Sequence, residues 1–173
     1  VDQINDALNA GTSVIINTST GTGGLGNITM TGAISKTTGG DATLTLNAVG
    51  TIVLSQSISS TTGALSVALN AGGSVTMESV INTNGGTLAI VAGGAVTQGT
   101  GSVLTIGGTT SVRTGNAAIV LVGAGTNNFV GAVTLTNTGA FDVSVSSNTA
   151  LTLGAVSAGQ NFFAAASSIN VTN

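Results

Sequence analysis

A degenerate repeat of about 23 residues, a length typical of solenoids, runs through most of this chain. It is clearest in the segments 48–54, 71–77 and 92–98, each of which reads as a Gly-containing turn followed by a short alternating strand. In a solenoid each unit packs only against its neighbours. The sequence therefore predicts a stack of similar coils, which is a different object from a globular enzyme domain.

Apolar residues recur at matching positions of the repeat, with the period of two that marks a half-buried strand. Gln98 is a polar break in one of these columns and predicts an irregular coil at that point. A third, shorter strand per repeat is predicted at Ile34, Ile58 and Ile81. The first predicted inward column is Ile28, Ile52, Val75, Val96, Ile119, Val143 and Ile169, and the second is Met30, Leu54, Met77, Gln98, Leu121, Val145 and Val171.

A further strand in each repeat follows a Gly turn, and it is predicted within 43–46, 65–67, 87–90, 111–113 and 133–136. Three short strands per repeat describe a triangular coil. Stacking such coils gives an all-β parallel β-helix, here of about seven coils of roughly 21–26 residues. After Val133 the repeat is expected to lengthen into a wider coil.

The N-terminal segment differs from the repeats. Val1, Ile4 and Leu8 have helical spacing, which predicts one or two helical turns packed on an end of the stack and ended by Gly11.

We divide the chain into two segments. Residues 1–27 contain this helical turn, a first strand and a Gly-rich loop, and residues 28–173 contain the repeating coils. The first ten residues carry two Asp and no basic residue, unlike an export signal, so we expect a fragment from the interior of a longer protein.

Composition excludes several function classes. Only 4% of the 173 residues are charged, the net charge is -3, and Lys36 and Arg113 are the only basic side chains. Two scattered cations cannot neutralise a run of phosphates, so nucleic-acid binding is not expected. The longest apolar run, 117–122, is too short to cross a bilayer, so no membrane insertion is expected.

The residues that carry most enzyme chemistry are missing from the sequence. It contains no His, Cys, Tyr or Trp, which removes imidazole catalysis, thiol nucleophiles and His/Cys metal sites. Asp41, Glu78 and Asp142 fall at different phases of the repeat, so no carboxylate pair is predicted on one strand. We therefore expect neither an enzyme nor a bound metal or cofactor.

One formal motif match has a structural explanation. Residues 21–26 fit the pattern G-x-G-x-x-G of dinucleotide-binding folds. That chemistry needs a helix to follow, with its N-terminus at the pyrophosphate, whereas a strand is predicted here. We interpret the segment as a Gly-rich loop.

Three side chains are candidates for contact with a ligand or partner. Phe162 and Phe163 form the main aromatic cluster, which either fills the core of a wider coil or forms an exposed patch. Arg113 is the cation on an otherwise Thr-, Ser- and Ala-rich strand face.

Asn47 and Asn70 lie one repeat apart in matching contexts, and they either bond each other in a ladder at a turn or merely tolerate a left-handed turn conformation.

Long stretches of the chain resemble filamentous-haemagglutinin-like adhesins, the large exoproteins of bacterial two-partner secretion. The resemblance rests on DALNAGTSV (6–14), GNITM (26–30), KTTGGDATLTL (36–46) and LTLGAVSAG (151–159). It implies a right-handed parallel β-helix, export through an outer-membrane transporter, and a secreted or cell-surface role in adhesion or biofilm formation. The chain has no Pro and so lacks the Asn-Pro motif of the family's secretion domain, which points to a shaft region.

Three functional hypotheses follow. The first is a rigid shaft or spacer of an exported adhesin, whose contacts are the adjacent coils of the parent protein. The second is a module that itself binds a glycan or protein of a host or bacterial surface. The third is a self-assembling extracellular fibre subunit, because open solenoid ends present unpaired strand edges.

Overall fold

The computed structural model describes residues 1–19, 25–123 and 126–172. Within these ranges the chain forms one α-helix and twenty strands, which stack into a parallel β-solenoid of about six coils. The predicted fold class is confirmed. Most of the Gly-rich loop at 21–26 lies outside the described residues.

The strands form three parallel sheets, one on each side of the coil. Sheet A has eight strands, β1 (Val14–Asn17), β4 (Ala42–Ala48), β7 (Leu65–Ala71), β10 (Leu88–Ala92), β13 (Thr110–Thr114), β16 (Val133–Asn137), β18 (Ala150–Ser157) and β20 (Ser168–Val171). Sheet B has seven, β2 (Ile28–Met30), β5 (Ile52–Leu54), β8 (Val75–Met77), β11 (Val96–Gln98), β14 (Ile119–Leu121), β17 (Val143–Ser146) and β19 (Phe162–Ala165). Sheet C has five, β3 (Ile34–Lys36), β6 (Ile58–Ser60), β9 (Ile81–Asn82), β12 (Leu104–Ile106) and β15 (Asn128–Phe129).

The core consists of aliphatic columns that run along the stack. The predicted sheet B column is confirmed from Ile28 to Val143, with each residue paired to the next in register. Except for β19 and β20 at the C-terminal end of the stack, the strands of all three sheets alternate buried and more exposed residues, as β4 does along its whole length. Alternation with period two therefore specifies which face is buried, and the shared register keeps like residues stacked.

Two predictions about the last coils are wrong, one about which residues continue the sheet B columns and one about the length of the repeat. Ile169 and Val171 lie in β20 of sheet A, opposite Leu151 and Leu153, and Phe162 and Ala164 take their expected places in sheet B. The repeat shortens instead of lengthening, since only residues 154–170 separate Leu153 from its partner Val171. The cause is loss of the third side, because only residues 147–149 separate β17 from β18, and sheet C ends at β15.

The predicted N-terminal helix is confirmed as α1 (Asp2–Asn9), which lies against the first strand of sheet C. Leu8 is fully buried and Ile4 packs on the same core. Gly11 follows with φ of 75°, the left-handed conformation that glycine adopts without strain.

Candidate interaction surfaces

The ionisable side chains of the described residues are dispersed over the coil. In those ranges no three His, Cys, Asp or Glu residues come close enough to hold a metal ion. Two carboxylates bond backbone groups of the next coil: Asp41 accepts a hydrogen bond from the backbone N–H of Ala64 at 2.7 Å, and Asp142 accepts one from that of Asn161 at 3.0 Å. No helix in the described part of the chain has the length and apolar character needed to cross a membrane.

Lys36 has an environment that the sequence does not predict. It is the last residue of β3 and its side chain points inward, fully buried. Its Nζ donates to the carbonyl oxygens of Thr38 at 2.6 Å, Gly39 at 3.2 Å and Thr62 at 2.7 Å. An ammonium has three N–H donors, so all three are used, and the group ties its own turn to the turn of the next coil.

A second buried polar cluster links Gln98 to Asn127. Their side-chain amides bond reciprocally, Gln98 Nε2 to Asn127 Oδ1 at 2.7 Å and Asn127 Nδ2 to Gln98 Oε1 at 2.8 Å. Asn127 Oδ1 also accepts from the backbone N–H of Leu104 at 2.9 Å, and Nδ2 reaches the carbonyl of Ser146 at 3.2 Å. Gln98 is buried in the column as the polar break that the sequence shows, in register with Met77, and Asn127 is the partner that the sequence analysis missed.

The predicted Asn ladder exists and is longer than expected. Asn47 Nδ2 donates to Asn17 Oδ1 at 2.7 Å, and Asn70 Nδ2 donates to Asn47 Oδ1 at 2.8 Å. The residues lie near the ends of β1, β4 and β7 rather than in a turn. Asn17 could have been found from the matching position of the repeat, but the first repeat is longer than those that follow, which hides the alignment.

A shallow groove of about 280 Å³ runs beside this ladder. The ladder amides form one part of its wall, and the half-exposed side chains of Val49 and Val91 form another. Such a surface offers hydrogen-bond donors and acceptors next to apolar patches. It fits an uncharged polar ligand better than an ionic one, because none of the described residues that line the groove has an ionisable side chain.

Arg113 lies on the same outward column, one coil beyond Val91. In register, Asn70 pairs with Val91, Val91 with Arg113, and Arg113 with Thr136. Its guanidinium is exposed at the surface of β13. The structure therefore places Arg113 about two strand spacings from the nearest amide of the ladder, about 10 Å.

Phe162 and Phe163 lie in β19, the last strand of sheet B, and point to opposite faces. Phe162 pairs with buried Val143 and faces inward, yet it is 40% exposed because no coil covers it. Phe163 pairs with Ser144, faces outward and is 59% exposed. The two rings therefore belong to different surfaces, and neither fills a widened coil. Arg113 is on another sheet, so the three predicted contact residues do not form one site.

The first coil is closed on one side by asparagine side chains of α1. Asn5 Nδ2 donates to the carbonyl of Ala33 at 3.3 Å, and its Oδ1 accepts from the N–H of Ser35 at 3.0 Å. Asn9 bonds Ser35 and Thr37 in the same way. Asn5 and Asn9 are four residues apart on α1, which corresponds to about 6 Å along the helix axis. This distance is close to the spacing of every second residue in a strand. The two side-chain amides therefore take the hydrogen-bonding positions that a neighbouring strand would occupy at the edge of β3.

One comparison with known proteins gives a match. A family model described as repeats of unknown function (DUF5649) matches residues 67–136. The matched segment runs from β7 into β16, and it contains Gln98, Asn127 and Arg113 but neither α1 nor the two phenylalanines. No curated protein and no solved structure matches the chain.

Proposed function

We propose that this chain is a rigid shaft segment of an exported bacterial surface adhesin that supports cell adhesion or biofilm formation. The observation that carries the proposal is the unbroken stacking of like residues along the sheet B column from Ile28 to Val143. The coils up to β15 contact their neighbours through three sheets and the last coils through sheets A and B, so bending the rod would break ladder hydrogen bonds on one side. Eight strands of sheet A, about 4.8 Å apart, give a stack about 34 Å long.

The sequence features that support export are independent of the stacking. The chain has no Cys whose thiol could be oxidised outside the cytoplasm, and its resemblance to filamentous-haemagglutinin-like exoproteins covers segments at both ends. On this proposal it leaves the cell through an outer-membrane transporter and functions secreted or on the outer cell surface. Its structural partners are the adjacent coils of the parent protein.

The first experiment measures binding by the folded chain itself. Fluorescently labelled protein of residues 1–173 is applied to a broad glycan array and to intact epithelial and bacterial cells, with a sizing run of the same sample. A shaft predicts no saturable binding by a folded, monodisperse sample. Saturable binding with defined specificity would contradict a purely structural role.

The Asn-ladder groove favours a second candidate function, direct recognition of a surface glycan or protein. Its amides and the apolar faces of Val49 and Val91 are the kind of lining that neutral sugars use. If binding is found on the array, Asn70→Ala should weaken it several-fold. Thr97→Ala, an exposed position on another sheet, is the matched control and should leave the affinity unchanged.

A further inference from the structure

The turn between β9 and β10 contains the one Asn-Gly step of the sequence, Asn84–Gly85. Asn84 has φ of 45° and Gly85 has φ of 95°. The turn is closed by a hydrogen bond of 3.0 Å from the N–H of Gly86 to the carbonyl oxygen of Thr83. Two positive φ angles inside a turn closed in this way identify type I′, for which Asn-Gly is a preferred pair. Both central residues are exposed to solvent.

The N–H of Gly85 is not used by this turn. A type I′ turn bonds the N–H of its fourth residue, here Gly86, and not that of its third. In the part of the chain that the structure describes, the Gly85 N–H donates to no other group. At Asn27, Asn82 and Asn137, by contrast, the N–H of the following residue donates to a carbonyl oxygen of an adjacent coil. The backbone nitrogen after Asn84 is therefore available for reaction.

The Asn84 side chain is held by a single exposed hydrogen bond. Its Nδ2 donates to the carbonyl oxygen of Gly63 in the preceding coil at 3.2 Å, at the long end of the usual range. The backbone of the same residue is fixed separately, because its N–H donates to Asn82 Oδ1 at 3.1 Å. Rotation of the side chain toward the Gly85 nitrogen thus breaks one bond and leaves the turn in place.

We propose that Asn84 is a site of spontaneous deamidation in the folded protein. The Gly85 nitrogen loses its proton and attacks Cγ of Asn84, the Cγ–Nδ2 bond breaks and ammonia leaves, which gives a five-membered succinimide. Water then opens either carbonyl of the ring and yields aspartate or isoaspartate, without an oxidant or a reductant. Attack between adjacent groups of one chain has a large rate advantage, and glycine has no side chain to obstruct the ring.

The products change the contact between two coils. Either product replaces the donor to the Gly63 carbonyl with a carboxylate, so acceptor oxygens face each other where a hydrogen bond was. Isoaspartate also lengthens the main chain by one carbon, and the turn has little room for it, since a Cβ on Gly86 would overlap the Leu65 carbonyl group. The reaction needs no partner, so it proceeds whether or not the chain is part of an adhesin shaft.

Incubation of the folded protein at neutral pH for several weeks tests this assignment. Ion exchange separates species that have gained negative charge beyond the net charge of -3, and peptide mapping identifies the altered residue. Labelling with an isoaspartyl methyltransferase detects isoaspartate. We expect Asn84 to be converted first, to both products. Asn148 is the internal comparator, because it is exposed and makes no side-chain hydrogen bond to a described residue, but branched Thr149 follows it and obstructs the ring.

Three results would overturn the proposal. The first is an intact Asn84 in a sample in which Asn148 or another asparagine has been converted. The second is aspartate without isoaspartate, which would show direct hydrolysis of the amide with no ring. The third is conversion of Asn84 only in guanidinium-unfolded protein, which would show that the fold protects it.

Three variants give independent readouts. Asn84→Gly keeps a residue that adopts positive φ without strain and removes the reactive amide, so the gain of charge should stop. Asn84→Asp supplies one product in full and should lower the melting temperature. Asn148→Asp is the matched control, because it adds the same charge where no side-chain bond is lost, and it should melt close to the unsubstituted chain. Equal melting temperatures for the two aspartate variants would contradict the assigned effect on the Gly63 contact.

Discussion

The side-chain amides of Gln98 and Asn127 bond each other twice in the interior of the stack, between two adjacent coils, at 2.7 and 2.8 Å. Gln98 takes the place of an aliphatic residue in its column, opposite Met77. The polar break occupies one position of the column, and its buried amide is satisfied by Asn127 and by the carbonyl of Ser102. The neighbouring columns therefore continue past it.

Replacing these two amides should have unequal effects. Gln98→Leu restores the aliphatic column and is expected to cost about 1 kcal/mol of unfolding free energy, whereas Asn127→Leu should cost about 3 kcal/mol or more. The difference arises because Asn127 also bonds Leu104 and Ser146, whose backbone groups would lose their partner. Urea unfolding of both single variants and the double variant measures it. A larger loss for Gln98→Leu would contradict this assignment of the bonds.

Buried Lys36 should contribute strongly to the stability of the first coils. Lys36→Met keeps the aliphatic stem but removes the donor to three carbonyl oxygens, so we expect a loss of about 2–4 kcal/mol in unfolding free energy. Arg113→Met removes the other cation from an exposed position and should change stability by less than about 0.5 kcal/mol. Equal denaturation midpoints for the two variants would show that the carbonyls find other partners.

The ladder of Asn17, Asn47 and Asn70 predicts a graded response. Asn47 bonds a neighbour on each side, whereas Asn70 bonds one within the ladder. Asn47→Ala should therefore cost about 1 kcal/mol and Asn70→Ala about half of that, within the range of cross-strand pairs. Thermal unfolding distinguishes them, and a cost for Asn70→Ala equal to or above that for Asn47→Ala would mean that the ladder bonds carry little energy.

Two adjacent coils meet closely at the turn that contains Gly63. Its φ is 69°, and an added Cβ would lie 2.8 Å from the Gly40 carbonyl oxygen. Gly63→Ala should destabilise the fold by about 2 kcal/mol or more, since it combines left-handed strain with this clash. Gly40→Ala is the control, because a Cβ there meets nothing within 4 Å. Similar melting temperatures for the two variants would contradict the tight stacking.

The sequence predicted those parts of the fold where the period is nearly constant. Ile28 through Val143 repeat at steps that differ by only a few positions, so spacing alone assigns their column. Spacing fails at Ile169, because losing the third side shortens the coil and moves the residue to sheet A. Asn127 was missed for a different reason: its bonds depend on three-dimensional contacts with residues up to 29 positions away, and its local sequence resembles a loop.

Candidate interaction surfaces were less predictable than the core. Phe162 and Phe163 are adjacent in sequence, but strand geometry directs them to opposite faces. Phe163 is exposed because it points outward, whereas Phe162 points inward and is exposed because its strand is the last of sheet B. The groove beside Asn47 results from stacking four coils, so no single segment encodes it. Local composition identifies such residues without showing which of them share a surface.

The folded chain should resist trypsin although it contains two cleavable residues. Lys36 is fully buried, and Arg113 is held within β13 by pairing with β10 on one side and β16 on the other. Cleavage requires local unfolding of the bound segment, which the ladders oppose. Gly101→Lys adds a site in an exposed turn with no neighbour within 4 Å of its Cβ, and should be cut rapidly into two fragments. Gel electrophoresis over time follows both proteins, and cutting of the unsubstituted chain at Arg113 at a similar rate would show that sheet A opens readily.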